Sequence, residues 1–257
     1  MISSFFASIG EKFLVLSNIL GGITYLFYQI TVALIPPKFD LDEFWRNLYK
    51  MGVKSVPIII LTAFFTGGIM VIQASVFVKK FGATSLVGWG AGYSVFREVG
   101  PILLGLMFSG RVGSNNTAEL ATMVVTEQID GLKALAIDPF RYLIVPRVLA
   151  MIIMLFLLTI IGTVVAIFGA ALFGKFIAGV SYAGFWTSFS QNLHLADLIH
   201  GLIKAAIFGF IVSLNSCYFG ISVKGGAVGV GKAVNNSVVA SALGIVIFDY
   251  ILTYNIT

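Results

Sequence analysis

The sequence predicts an all-α integral membrane protein in which an amino-terminal interfacial helix precedes five transmembrane helices. Only 11% of the 257 residues are charged, whereas about 25% are charged in a typical soluble domain, and 58% are hydrophobic. So few charges cannot cover the exterior of a soluble globule of this size. The composition therefore excludes a disordered chain, a nucleic-acid-binding protein and an ordinary cytosolic enzyme.

Residues 1–52 are predicted to form the interfacial part of the chain. The apolar stretch Phe13–Ile35 is interrupted by polar residues such as Gln29 and ends before Pro36. It has neither the basic start nor the cleavage site of a signal peptide, so we interpret it as a helix that lies in the membrane interface or only partly enters it. A sixth full span is the alternative. A short amphipathic helix, Leu41–Met51, follows.

Residues 53–257 are predicted to form the membrane-spanning domain. Each of five apolar runs is near or above the roughly 18–20 residues, about 30 Å of helix, that cross the hydrocarbon core of a bilayer. The predicted spans are 53–78, 93–110, 143–173, 198–220 and 233–254. The longest connection, 111–142, joins the second span to the third.

The distribution of basic residues predicts the orientation of these spans. With a cytoplasmic amino terminus, the eleven basic residues on the inside are Lys12, Lys38, Arg46, Lys50, Lys54, Arg111, Lys133, Arg141, Arg147, Lys224 and Lys232. The three on the outside are Lys79, Lys80 and Lys175. Because Lys and Arg are enriched in cytoplasmic loops, we expect an inside amino terminus and, after five crossings, an outside carboxyl terminus.

Four charged residues fall inside the predicted spans, namely Arg97, Glu98, Lys204 and Asp249. Charges in the hydrocarbon region cost a few kcal/mol each, so each of them requires an explanation. All four are expected roughly 7–9 Å below the outer surface, at 1.5 Å per residue. One interpretation is a pair of salt bridges that ties three helices together. The other is a polar layer in an outward-facing cavity, where Arg97 and Lys204 meet an anionic headgroup. The two interpretations are compatible.

The connection 111–142 is predicted to carry a short amphipathic helix, Glu127–Ile137. Thr126 is expected to cap its start, and the Asp138-Pro139 pair to end it. A helix this short is stable only if it packs on something. It either packs on its own bundle or docks into a groove of a cytoplasmic partner as an energy-coupling element.

Cofactor and metal sites are not expected in this chain. The single cysteine excludes a C-x-x-C site, and His194 and His200 are too far apart to share a helical face. Gly226–Lys232 fits the core of a phosphate-binding loop, but the next residue is Ala233 where Ser or Thr would hold magnesium. We interpret this segment as a flexible inner loop. The chain is therefore not expected to be an enzyme, and any active transport takes its energy from elsewhere.

The stretch REVGPILLGLMFSGRVGSNNTAELATMVVTEQIDGLKALAIDPFRYLIVPRVLA, Arg97–Ala150, resembles the signature region of the MlaE family. These proteins are permease subunits of ABC systems that move phospholipid between the two membranes of Gram-negative envelopes. The resemblance extends over essentially the whole chain, including the terminal LGIVIFDYILT. One departure is Asn115-Asn116, where relatives usually carry smaller apolar residues.

The resemblance implies a set of partners. It implies a homodimer bound to two copies of a cytoplasmic ATPase, which carries the ATP and magnesium. A STAS-domain protein sits on the ATPase, and a hexameric MCE-domain protein lies on the outer side of a bacterial inner membrane. In this family, such complexes maintain the lipid asymmetry of the outer membrane.

The resemblance also implies site residues. Phospholipid is expected in an outward-open cavity at the dimer interface, lined by the first, second and fifth spans. The family's polar residues near that cavity match Arg97, Glu98 and Lys204, and Asp249 shares their expected depth. The residues expected to couple the chain to the ATPase are Glu127, Gln128, Asp130, Leu132, Lys133 and Asp138.

Two rival functions follow from the same residues. An ion- or proton-coupled secondary transporter would use Arg97, Glu98, Lys204 and Asp249 as a relay. A structural scaffold for other envelope proteins would hold no lipid in the outer cavity. The relay predicts transport without any ATPase, which distinguishes it from a permease subunit.

Overall fold

The protein is helical throughout the part of the chain that the computed structural model describes, residues 2–35, 40–80, 86–177 and 179–256. No strand occurs in these ranges, which confirms the all-α prediction. The helices are α1 (Ile2–Ala33), α2 (Leu41–Gly52), α3 (Val56–Lys80), α4 (Val87–Ser94), α5 (Gly100–Phe108), α6 (Ser114–Val125), α7 (Gln128–Ala134), α8 (Val145–Phe176), α9 (Tyr182–Asn192), α10 (Leu195–Ile221) and α11 (Gly226–Ile256).

Four segments among the described residues are long and apolar enough to cross a membrane, namely Leu41–Val76, Phe140–Phe176, Leu195–Ile221 and Gly226–Asn255. They contain most or all of the first, third, fourth and fifth predicted spans. The second predicted span, 93–110, lies inside a continuous helical segment, 87–125, that is not among the four. Arg97 and Glu98 lower the hydropathy of that segment.

In the described part of the chain, three π-helical turns interrupt the helices near their charged residues. Val95–Val99 joins α4 to α5, Ser109–Gly113 joins α5 to α6, and Phe140–Ile144 leads into α8. A π turn inserts one residue into a helix and is frequent at functional sites. The first of these turns contains Arg97 and Glu98, so it sets the direction in which both side chains leave the helix.

The amino-terminal region consists of two helices of different character. α1 is a single helix of 32 residues, and its buried Leu26 and Ile30 belong to a core that α8 and α10 complete. α2 begins at Asp40, whose carboxylate accepts a hydrogen bond from the Glu43 backbone N–H at 2.9 Å. Pro36, the predicted end of the first helix, lies outside the described residues.

α3 and α8 form the tightest helix pair of the bundle, and glycines allow their close approach. A Cβ atom at Gly67 would overlap the carbonyl oxygen of Ala166, and a Cβ atom at Gly169 would overlap that of Phe64. Small residues at such contacts let two backbones approach closely in lipid. The backbones of α3 and α8 are therefore in direct contact at Gly67 and Gly169.

The connection between α10 and α11 defines one end of the bundle. It is short, and Gly225 and Gly226 turn the chain with φ angles of +91° and +62°. The prediction of a flexible inner loop at Gly226–Lys232 is wrong, because these residues form the first turns of α11. The end of α10 and the start of α11 thus lie together, whereas Lys204 and Asp249 lie near the opposite end.

The predicted coupling helix is shorter than expected and is not capped by Thr126. α7 covers only Gln128–Ala134. The Thr126 hydroxyl donates to the carbonyl oxygen of Thr122 at 2.8 Å, because Thr126 still belongs to the last turn of α6. Glu127 then reverses the chain with a φ of 59°, so it stands before α7 and not inside it.

Candidate functional site: two clusters of buried charges

Lys204 is the centre of a cluster that joins three helical segments. Its Nζ atom lies 2.6 Å from a carboxylate oxygen of Glu98 and 3.0 Å from one of Asp249, and it donates to the Thr253 hydroxyl at 2.8 Å. The residue is only 2% exposed. A buried ammonium is costly unless it is paired and hydrogen-bonded, and here all three partners satisfy it. We call Glu98, Lys204, Asp249 and Thr253 the outer cluster.

Arg97 lies beside the outer cluster but bonds to a different carboxylate. Its Nη1 atom lies 3.4 Å from Asp197, and its guanidinium lies 5.2 Å from the centre of the Tyr93 ring. Asp197 also accepts from the backbone N–H of His194 at 3.1 Å, which closes the start of α10. The structure therefore brings Glu98, Lys204 and Asp249 into contact, whereas Arg97, the neighbour of Glu98 in the chain, pairs with Asp197.

Sequence reasoning missed Asp197, although a signal for it exists. The residue lies one position before the predicted fourth span, 198–220, so it was assigned to the connection before that span. Asp197 is seven residues before Lys204, which is two turns along the same face of α10. With Asp197 included, the layer holds two cations and three carboxylates.

A second cluster lies toward the opposite end of the bundle, around Arg147. This side chain is buried, and its guanidinium lies 3.4 Å from Glu119 and 3.8 Å from Glu43. It also donates to the amide oxygen of Asn116 at 3.1 Å, and Lys50 forms a second ion pair with Glu119. We call these five residues the inner cluster.

From the sequence, Arg147 was predicted only to be one of the basic residues on the cytoplasmic side. Its position at the start of the longest apolar run was the available signal for a buried charge. Its partners Glu43 and Glu119 come from α2 and α6, so their meeting depends on how α2 packs across the start of α8.

Asn115 and Asn116, which follow the second predicted span, have different environments. Asn116 is buried and donates to the Ser216 hydroxyl at 2.9 Å, whereas Asn115 is exposed. Next to Asn116, the Thr117 hydroxyl lies 2.9 Å from that of Ser237. This network of short polar side chains joins α6 to α10 and α11, and it accounts for a polar residue inside the bundle at position 116.

The segment predicted to bind an ATPase is exposed. None of the seven residues of α7, all of which the structure describes, is buried. Asp130 and Lys133 form an exposed ion pair at 2.8 Å, and Gln128 donates to the Thr126 hydroxyl at 3.0 Å. Asp138 accepts from the backbone N–H of Phe140 at 3.0 Å. The carbonyl oxygen of Leu132 accepts a hydrogen bond from the backbone N–H of Ile137 at 3.0 Å, and this bond closes the turn after α7.

A groove of about 310 Å³ separates α7 from the bundle. Ile129 and Lys133 line it on the α7 side, and Phe140, Ile144 and Ile221 line it on the other. This groove disfavours close packing of α7 on its own bundle, which was one of the two alternatives for this helix. In the described part of the chain, no group of three His, Cys, Asp or Glu residues is placed to hold a metal ion.

The fold and the two clusters define a polytopic helical membrane protein with ionised residues buried between its helices, an arrangement typical of transport proteins. A family model described as Permease MlaE matches residues 44–255. The chain belongs to the MlaE permease family.

Relatives match over almost the full length of the chain. A probable ABC transporter permease protein of Rickettsia conorii is 38% identical over 246 residues, which is 96% of this chain and 95% of that protein. A probable ABC transporter permease protein of Rickettsia typhi is 40% identical over 233 residues, 90% of each chain. The intermembrane phospholipid transport system permease protein MlaE of Haemophilus influenzae is 29% identical over 254 residues, 98% of this chain and 97% of that protein.

Proposed function

We propose that this chain is the transmembrane permease subunit of an ABC transporter that moves phospholipids between the inner and outer membranes and maintains the lipid asymmetry of the outer membrane. The observation that carries the proposal is the family match over residues 44–255, together with a relative named as an intermembrane phospholipid transport permease. Such a subunit is not an enzyme, and ATP and magnesium bind to a separate ATPase.

The proposed assembly is a homodimer with a cytoplasmic ABC ATPase, a STAS-domain protein and a hexameric MCE-domain protein. The exposed α7 supports the contact with the ATPase, because a helix with no buried residue requires a partner to hold it. The homodimer contact is proposed on α11, because this segment is only 17% buried whereas the other three long apolar segments of the described residues are 39–44% buried.

The proposed membrane is the bacterial inner membrane, with a cytoplasmic amino terminus and a periplasmic carboxyl terminus. The excess of basic residues at the α7 end supports this orientation. It places the outer cluster toward the periplasm, where lipid would enter or leave an outward-open cavity between two copies of the chain.

The proposed role of the outer cluster is to hold that cavity in shape and to bind a headgroup. Lys204 is enclosed by two carboxylates and a hydroxyl, so it links the helices. Arg97 has one contact to Asp197 at 3.4 Å, which leaves guanidinium N–H groups for a lipid phosphate. Arg97 is therefore the proposed headgroup contact and Lys204 the proposed structural centre.

The test is affinity purification of the full chain from its own membrane in a mild detergent. We expect an ABC ATPase and phospholipid to co-purify, as scored by mass spectrometry of proteins and lipids. Recovery of the chain with bound phospholipid and no ATPase would contradict the permease proposal. Recovery with the ATPase and no lipid would favour the scaffold.

The proton- or ion-coupled alternative draws on the same cluster, since a buried lysine between two carboxylates is typical of relays. Vesicles that contain the purified chain alone distinguish the two functions. A secondary transporter moves substrate in response to an ion gradient under these conditions, whereas a permease subunit requires its ATPase and ATP.

A further inference from the structure

A second polar cavity lies near the inner cluster, at the end of the bundle opposite the outer cluster. It has a volume of about 250 Å³ and lies between the turn that joins α2 to α3 and the turn that joins α5 to α6. Lys50, Lys54 and Ser55 line one side, and Arg111 and Glu119 line the other. The volume is below the roughly 300–1,000 Å³ of pockets for drug-sized ligands, so the cavity suits a group the size of a lipid headgroup.

Two of the three cations that line this cavity have no ion-pair partner among the described residues. Lys50 is paired with Glu119, and Arg147 is shared between Glu119 and Glu43. Lys54 and Arg111 also line the cavity or its mouth, and neither makes an ion pair with any residue that the structure describes. Two uncompensated positive charges therefore remain at one small polar cavity.

The positions of Lys54, Arg111 and Ser55 favour an anionic ligand over simple solvation. The Arg111 guanidinium donates to the backbone oxygen of Lys54 at 2.7 Å, so a hydrogen bond across the cavity positions the guanidinium beside the Lys54 backbone. Ser55 is 2% exposed, and its hydroxyl has no hydrogen-bond partner among the described residues. A buried hydroxyl without a partner is uncommon, and a bound anion would accept its hydrogen bond.

The neighbouring aromatic residues indicate the depth of the cavity in the membrane. Trp45 and Tyr49 on α2 are exposed, and they lie five residues and one residue before the cavity residue Lys50. Trp and Tyr are enriched where the headgroups of a bilayer meet water. These residues favour a position of the cavity near the headgroups of a bilayer.

We propose that this cavity binds a phosphate-bearing anion through Lys54, Arg111 and Ser55. The phosphate belongs either to a phospholipid of the leaflet at this end or to a free phosphate ion. Arg111 supplies a planar fork of donors, Lys54 a point charge and Ser55 a hydroxyl. The inference goes beyond the proposed transport function, because binding at equilibrium requires neither an ATPase nor lipid movement.

The test is a titration of the full chain in neutral detergent, followed by its thermal unfolding temperature. Three probes are compared: dihexanoyl phosphatidylglycerol, inorganic phosphate and dihexanoylglycerol, which lacks phosphate. A ligand that binds the native state raises the unfolding temperature, and the rise grows with the logarithm of the ligand concentration relative to its Kd. We expect stabilisation by a phosphate-bearing probe and none by dihexanoylglycerol. Stabilisation by the lipid alone identifies a headgroup, and equal stabilisation by phosphate identifies a free anion.

Variants distinguish this cavity from general attraction to basic residues. Lys54→Gln with Arg111→Gln is expected to weaken binding at least tenfold, and Ser55→Ala severalfold with every charge kept. Lys224→Gln is the matched control, because Lys224 is an exposed cation at the same end of the bundle. Each variant is also titrated in an Arg97→Gln background. This separates a loss of phosphate binding at Arg97 from a loss of phosphate binding at this cavity. Wild-type affinity in the double variant, an equal loss in Lys224→Gln, or equal stabilisation by dihexanoylglycerol would overturn the proposal.

Discussion

Lys204 and Glu98 are 106 residues apart in the sequence, yet the Lys204 Nζ atom lies 2.6 Å from a carboxylate oxygen of Glu98. The contact joins α10 to the π turn Val95–Val99, and Asp249 extends it to α11. Since Lys204 is almost wholly enclosed, its charge is stabilised by these side chains and not by water. The position of one ammonium thus connects three helical segments.

Replacement of Lys204 by Met is expected to destabilise the protein. The change removes the cation and leaves Glu98 and Asp249 facing each other without a counter-charge. Breaking a buried ion pair costs about 3–5 kcal/mol, and we expect the lower end because the Glu98 side chain is 33% exposed. The measurement is unfolding of the purified chain in detergent.

The control for that experiment is the triple variant Lys204→Met, Glu98→Gln, Asp249→Asn. It removes all three charges together, so most of the lost stability is expected to return. If the triple variant is no more stable than Lys204→Met, the loss comes from packing and the electrostatic explanation fails.

Reversal of charge at Arg97, in Arg97→Glu, is expected to lower phospholipid occupancy severalfold in the purified complex. The substitution places a carboxylate beside Asp197, where a phosphate would be repelled. Lys175→Glu is the matched control, since Lys175 is another cation beside a tyrosine, lying 4.5 Å from the Tyr182 ring centre. Lipid mass spectrometry gives the occupancy. Unchanged occupancy in Arg97→Glu would assign the residue a purely structural role.

Arg147 is expected to tolerate neither Met nor Lys. Its Nη1 atom contacts Glu119 and Asn116 and its Nη2 atom contacts Glu43, and a single ammonium cannot reach all three. We expect Arg147→Met to lose about 3 kcal/mol of unfolding free energy and Arg147→Lys to recover less than half of that. Full recovery with Lys in a detergent unfolding assay would show that the charge alone is sufficient.

Gly67→Ala is expected to separate α3 from α8 and to cost about 1–3 kcal/mol, because the new methyl group meets the backbone of Ala166. Gly231→Ala is the control in α11, where an added Cβ meets no atom within 4 Å. That substitution is expected to raise stability by about 0.5–1 kcal/mol through helix propensity. Equal effects of the two changes on unfolding would contradict close packing at Gly67.

Charge reversal at Glu127 and Asp130, to Lys in both cases, is expected to abolish ATP-driven transport or prevent assembly with the ATPase. Glu127→Asn serves as a control for the backbone, because Asn accepts the positive φ of this residue. Asp42→Lys on α2 serves as a control for charge. The measurements are ATPase co-purification and ATP-dependent lipid transfer, and wild-type values in the double variant would remove the coupling assignment.

The sequence predicted the four long apolar segments because length and apolar composition are local properties. The third predicted span, 143–173, differs from α8 by only two or three residues at each end. Local features failed where the chain turns. Thr126 is a good capping residue, but it stayed in the helix before the turn, and Gly226–Lys232 entered a helix in spite of its glycines.

Charge and hydropathy along the sequence by themselves determined that this protein is a bundle of membrane helices with a few costly charges inside. Counting residues from the span ends even placed Glu98, Lys204 and Asp249 at one level, since helices have a constant rise. Only the tertiary structure decided which charges are partners. Arg97 pairs with Asp197, and Arg147 pairs with Glu43 and Glu119. These pairs depend on how separate helices rotate and cross, and that geometry cannot be deduced from any single segment of the sequence.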